Sequence, residues 1–115
     1  MYGVLARSRI TLNHHGDVGP YANNLRLYEA TGMGALLLTD AKDNLGEMFH
    51  LGEEVLAYHD AHECAEMIQR YLDDEPERAR IAAAGRERTL RDHTWSVRMR
   101  ELLEILHPHL EARRA

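Results

Sequence analysis

Cysteine is almost absent from this chain. Cys64 is the only one in 115 residues, which excludes an intramolecular disulfide and a thiolate metal cluster and fits a reducing, cytoplasmic setting. Long apolar runs are missing too: no window approaches the ~18 residues needed to cross a bilayer. The opening MYGVLARSRI lacks the apolar core of a signal peptide. Positive charge is in short supply, with a formal net charge of −5, which argues against general nucleic-acid binding. What remains is an ordinary globular composition, 44% hydrophobic and 29% charged, in a length that suits one domain with a real core. The charges are segregated. Residues 40–75 hold eleven acids against Lys42 and Arg70, whereas 76–100 hold seven arginines against three acids. That basic stretch reads as a solvated helix face.

Taken in order, residues 2–8 read as the last turns of a helix and ITLN at 10–13 as a β-branched strand. The loop HHGDVGPYA at 14–22 carries two glycines and a proline, too irregular for a periodic element. Residues 23–40, NNLRLYEATGMGALLLTD, follow as a helix, a glycine-bearing turn and a buried strand. Leu25, Tyr28 and Met33 fall at helical spacing and are expected to face a sheet. Gly32 and Gly34 mark the helix end, and the apolar run 35–38 suits a strand covered on both faces. A short helix at 45–49 and a third strand, VLAY at 55–58, come next.

Asp60 with Glu63 has capping-box spacing. It precedes an amphipathic stripe of Ala61, Ala65, Ile68 and Leu72. Pro76 suits the first position of a helix running to about Arg91. Thr94 can cap a last helix striped by Trp95, Met99, Leu102, Leu103, Leu106 and Leu110, which Pro108 is expected to end or kink. Alternating strands and helices predict an α/β domain with a parallel sheet and right-handed crossovers. Three strands leave an edge unpaired, so a longer chain or a second copy is expected to cover it.

Ligands of open α/β sheets bind beyond the carboxyl ends of the strands. The Asn-rich entry to the helix at 23–32 is therefore a candidate anion site, and Glu29, expected two turns in, is an odd place for a carboxylate that meets nothing. Blander readings stand beside these. Glu29 is then a solvated helix residue, Arg26 its i,i+3 partner, Asn23 or Asn24 a helix cap, and Asp40 the cap of the next short helix. His59 and His62 lack a third metal ligand nearby in sequence. Cys64 is read as a small buried side chain, and the stripe from Trp95 to Leu110 as core or interdomain packing.

Four segments in order, SRITLN at 8–13, NLRLYEATGMGALLLTD at 24–40, LGEMFHLGEEVLAYHD at 45–60 and IAAAGRERTLRDHTW with Arg98 at 81–98, resemble the carboxyl-terminal region of GT-B glycosyltransferases. Among these the chain is most similar to the CgeB-like, spore-maturation-type group. The resemblance implies a small three-layer Rossmann-like domain over residues 1–115, the carboxyl part of a GT-B fold and a fragment of a longer enzyme. It implies a nucleotide-diphosphate sugar as donor, held opposite a separate amino-terminal domain that binds the acceptor. In retaining enzymes of this architecture a glutamate on this helix accepts hydrogen bonds from the ribose hydroxyls, and by position that is Glu29. Asn24 to Arg26 are then implied near the diphosphate, with Asn13 and Asp40 completing the donor-binding set.

The resemblance implies no metal cofactor, since arginine and a helix end can meet the leaving-group charge. Tyr21 stands where many of these enzymes carry a first glutamate, so no catalytic residue is assigned and the stereochemical outcome stays open. His14, His15 and Asp17 are the loop groups left to approach the sugar. Alone, the 115 residues are expected to be inactive, because transfer needs both halves of the cleft. The rival reading is a non-enzymatic Rossmann-like module that dimerises or holds a partner through its open edge or last helix.

Overall fold

The structure, a computed structural model, describes residues 1–16, 19–22 and 24–114. Asp17 and Asn23, read from the sequence as a sugar-facing group and a helix cap, lie outside the described residues. Strands β1 (Ile10–Asn13), β2 (Leu36–Asp40) and β3 (Leu56–Tyr58) form a parallel sheet in the order β1-β2-β3. Ile10 lies opposite Leu36, Asn13 opposite Thr39, and Leu38 opposite Leu56. Helices α1 (Tyr2–Arg7), α2 (Arg26–Gly32), α3 (Leu45–Met48), α4 (Ala61–Asp73), α5 (Glu75–Asp92) and α6 (Trp95–Arg114) complete the chain. The expected α/β, Rossmann-like arrangement is present. Among the described residues no further strand pairs with the outer edge of β1 or β3.

β2 is buried along its whole length because its two faces feed two separate clusters. Leu37 joins Leu5, Leu27, Ala30, Leu45, Phe49 and Val55 on the α2 side. Leu36 and Leu38 join Leu56, Tyr58, Cys64, Tyr71 and Ile81 on the α4 side. At roughly 25 cal/mol per Å² of apolar surface, each fully buried leucine contributes on the order of 2 kcal/mol, so this strand is the core's axis. α2 stops where Gly34, at φ +88°, takes the left-handed conformation that a side chain resists. The Gly34 and Ala35 amides then donate to Thr31 O and Ala30 O, which satisfies two carbonyls left over at the helix end.

Several local expectations shift by a residue or more. α2 begins at Arg26, so its sheet face is Leu27, Ala30 and Thr31, while Leu25 is exposed. For the same reason Glu29 sits in the first turn, not the second. On α4 the buried face is Cys64 and Tyr71 with Met67 and Ile68 beside them; Ala61, Ala65 and Leu72 are exposed. Asp60 caps that helix as expected, accepting from the Glu63 amide at 2.8 Å. Asp74 does the same for α5, with Pro76 in its first turn.

α6 departs most. Trp95, Met99, Leu102, Leu103, Leu106 and Leu110 are all exposed, because past its first turns nothing among the described residues lies over the helix. Its apolar stripe is not core here. Pro108 neither ends it nor stops the chain reaching Arg114. In an exposed stretch, the carbonyl that loses its N–H partner can turn to water.

Candidate functional site

Parallel strands deliver their last residues to one rim, here Asn13, Asp40 and Tyr58. Asp40 is the focus. The His15 backbone N–H donates to both its oxygens at 3.0 and 3.1 Å, and the Thr39 hydroxyl donates to Oδ1 at 3.1 Å. His15 Nδ1 lies 2.7 Å from Oδ1. An ionised carboxylate can only accept, so Nδ1 must carry the proton of this bond. Burial alone would raise the Asp40 pKa, but the bonds from the His15 ring and amide and from Thr39 outweigh it and hold the carboxyl below its ordinary range.

Behind this pair, Asn13 Nδ2 donates to Thr39 Oγ1 at 3.2 Å and Tyr58 OH donates to the Asn13 carbonyl at 2.8 Å. Burial, with the Asp40 charge adding to it, pushes the tyrosine pKa up, so it stays a neutral donor. Lys42 Nζ lies 3.7 Å from Asp40 Oδ2 and donates to the carbonyls of Gly16 and Gly19, both at 2.9 Å. That ties the loop after β1 to the rim. Asp40 does not cap α3; Asn44 occupies that position. A cleft of about 550 Å³ opens beside the rim, lined by Leu12, His14, Asp40, Lys42, Tyr58 and His59 among others.

The second group gathers on α2. Asn24 Oδ1 accepts from the Arg26 amide at 2.7 Å, an Asx turn that starts the helix. The Leu27, Tyr28 and Glu29 amides donate to Asn24 O, Leu25 O and Leu25 O. The first-turn amides are thus used inside the turn, and the helix tip presents guanidinium and carboxylate groups instead. Arg26 Nε lies 3.8 Å from Glu29 Oε1, is buried, and has no hydrogen-bond partner among the described residues.

Glu29 faces a cleft of about 540 Å³ with Tyr2, Tyr28, His93, Trp95 and Arg98 on its walls. His93 is fixed there by two bonds. Its Nε2–H donates to Met48 O at 2.8 Å, and Arg98 Nη2 donates to its Nδ1 at 2.6 Å. Burial pushes the His93 pKa down and the charges of Arg98 and Arg88 add to that, against the Met48 bond. The ring is therefore neutral, packed against Tyr28 and Phe49 at centroid distances of 5.0 and 5.1 Å.

The five residues singled out from the sequence fall into two sets. Asn13 and Asp40 meet through Thr39, and Asn24, Arg26 and Glu29 meet along α2. Among the described residues no hydrogen bond or ion pair joins the sets. Sequence reasoning missed Thr39, Lys42 and Tyr58 at the rim and His93 at the other cleft. It gave His15 no partner. A signal existed at the rim: a residue with a polar group, Asn13, Asp40 or Tyr58, ends each of the three strands. His59 and His62 pair locally with Glu63 and Glu66 at 3.2 and 3.1 Å. Cys64 is buried, as expected, and burial pushes its thiol pKa up.

Residues 1–104 match a protein family described as glycosyl transferase-like. No curated protein and no solved structure matches the chain. The matched span takes in the whole sheet, the Asp40 rim and both walls of the α2 cleft, and the chain belongs to the glycosyl transferase-like family.

Proposed function

We propose that this chain is the donor-binding domain of a glycosyltransferase of the CgeB-like type, taking a nucleotide-diphosphate sugar and working opposite an amino-terminal domain that binds the acceptor. The observation that carries the reading is Glu29 at an open cleft, with Arg26 beside it and Tyr2, Tyr28, Trp95 and Arg98 around it. A carboxylate offers two acceptor oxygens to a vicinal diol, the pattern of a ribose, and charge-assisted bonds of this kind are the stronger ones. Exposed Trp95 and Tyr2 offer flat faces for a base.

As the bond between sugar and diphosphate breaks, charge grows on the leaving phosphate. With the first-turn amides already bonded, that charge falls to the Arg26 and Arg98 guanidinium groups, with no metal ion. Asn24 starts the helix that aims Arg26. Asp40, with Asn13 behind it, serves the sugar end of the donor. Titration with UDP, GDP and dTDP by calorimetry tests this reading. At least one is expected to bind, and Glu29→Ala is expected to weaken it about tenfold or more, the loss of a charged hydrogen-bond acceptor. Binding of none of the three to a folded sample refutes it.

One observation favours a second reading, an interaction module: the exposed apolar stripe of α6. Size-exclusion chromatography with light scattering separates the two, because a tight dimer without nucleotide affinity supports the module alone.

A further inference from the structure

The imidazole of His15 is out of place as a loop residue. Its side chain is only 2% exposed, its Nδ1–H is committed to Asp40, and its Nε2 is buried with no hydrogen-bond partner among the described residues. A loop histidine costs conformational entropy to order, and a buried nitrogen without a partner adds a desolvation penalty. What the ordering achieves is a carboxylate with one oxygen saturated. Asp40 Oδ1 receives the His15 amide, the His15 ring and the Thr39 hydroxyl. Oδ2 receives one amide at 3.1 Å and otherwise has only looser neighbours, His14 Nδ1 at 3.4 Å and Lys42 Nζ at 3.7 Å. Oδ2 keeps lone-pair capacity, and the residue lines the rim cleft.

We propose that His15 is a positioning residue that holds the Asp40 carboxylate turned toward the rim cleft, and that Asp40 there accepts hydrogen bonds from hydroxyls of the donor's glycosyl group. The inference rests on the donor-binding reading for the identity of the ligand. It adds the residue that orients the carboxylate and the part of the donor that meets it. The ligand chemistry follows from the groups present. An acceptor-only carboxylate asks for hydroxyl donors, and exposed His14 and His59 stand beside it at the cleft mouth. Removing the His15 ring leaves burial to act on Asp40 with fewer opposing bonds, so its pKa rises. The charged and titratable groups that face it are His14, His15, Lys42 and Tyr58.

The experiment compares nucleotide with nucleotide sugar on the full 115-residue chain. Affinities for UDP, UDP-glucose, GDP and GDP-mannose are measured by calorimetry from pH 4 to 8. The His14 and His15 ring nitrogens are followed by NMR during titration with glucose 1-phosphate and mannose 1-phosphate. For wild type, one sugar-bearing ligand is expected to bind more tightly than its parent nucleotide. Asp40→Asn is expected to remove that gain, and His15→Ala to cut it roughly tenfold while leaving the parent nucleotide unaffected.

His15→Asn, whose amide can replace the Nδ1–H donor, is expected to restore most of the gain. The gain in His15→Ala is expected to fade at a higher pH on acidification than in wild type, a shift that a merely structural role does not produce. A sugar gain untouched by Asp40→Asn, or no gain at all over a nucleotide that binds, overturns the inference and leaves the nucleotide reading intact. If no nucleotide binds, the sugar phosphates decide. Ring shifts in wild type that vanish in Asp40→Asn support the rim site, and their absence overturns it.

Discussion

Gly85 offers a test of the packing that positions the α2 cleft, because there the usual effect of a substitution should reverse. In a helix interior, replacing glycine by alanine normally stabilises by about 1 kcal/mol, since glycine loses more backbone entropy on folding. Gly85 lies buried within α5, and a Cβ there would overlap the backbone carbonyl oxygen of Glu54 and touch Thr31 Cγ2. The carbonyl has little room to retreat. Its segment is closed by the Glu54 amide on His50 O at 2.9 Å, the His50 amide on Glu54 Oε1 at 2.6 Å and the Gly52 amide on Val55 O at 2.8 Å. Arg88 adds an ion pair to the same carboxylate at 3.2 Å.

Overpacking against a pinned backbone costs about 3 kcal/mol. Set against the propensity gain of about 1 kcal/mol, Gly85→Ala should destabilise by about 2 kcal/mol, or roughly 6–12 °C in Tm for a domain of this size. The control is Gly46→Ala, an exposed position on α3 where a Cβ meets nothing within 4 Å; it should be neutral or stabilising by a few tenths of a kcal/mol or more. Thermal and urea denaturation of the two variants beside wild type give both signs. A Gly85→Ala chain as stable as wild type refutes the close approach of α5 to the chain before β3.

Two further outcomes follow from the same bookkeeping. Burial and neighbouring arginines depress the folded pKa of His93, so the unfolded chain takes up a proton near pH ~6.5 that the folded ring resists. Its contribution is complete above that pH and is lost as the pH falls toward the depressed folded value; urea midpoints at pH 8 and 5.5 should therefore differ less in His93→Gln than in wild type, and equal slopes defeat the assignment. Asn44 holds the buried Ala22 peptide from both sides, accepting from its N–H at 2.5 Å and donating to its carbonyl at 3.0 Å. Asn44→Ala strands both groups and should cost about 2–3 kcal/mol, with Asn44→Asp, which keeps the first bond, costing less in the same denaturation assay.

What was legible in the sequence was what neighbours decide. The strand ITLN and the apolar run before Thr39 show in the local residue pattern, the Asp60 cap and the Gly34 turn rest on contacts within five residues, and all lie where expected. Helix phase was harder. Leu25, Leu27, Tyr28 and Ala30 fit two faces equally, and the choice depends on Asn24 starting the helix through the Arg26 amide. Pairing across the chain was harder still. His15 and Asp40 are 25 residues apart, and nothing local couples them. Only the register, Asn13 opposite Thr39, brings the residues after β1 alongside the last residue of β2. The stripe on α6 shows the opposite limit: period 3.6 reports that a face is apolar, never what covers it.

The two clefts differ in how they are built, and the difference bears on which can be ready before a ligand arrives. Both walls of the α2 cleft are joined by direct contacts. The Thr31 hydroxyl, bonded to Leu27 O at 2.7 Å, meets the Thr89 hydroxyl at 2.5 Å, and Tyr28 packs on His93, the residue to which Arg98 is hydrogen-bonded. Glu29 and Arg98 therefore sit on one interlocked unit of α2, the end of α5 and the first turn of α6, and a ligand that needs both meets a preformed spacing. At the rim, by contrast, the carboxylate is set by the loop after β1, which Lys42 ties down through two carbonyls. Weakening that tie should loosen His15 and Asp40 together while Glu29 and Arg98 hold their places. On the donor-binding reading proposed above, a nucleotide and the sugar it carries would be answered by separately supported parts of the fold, so substitutions at the two clefts are expected to affect different halves of one ligand.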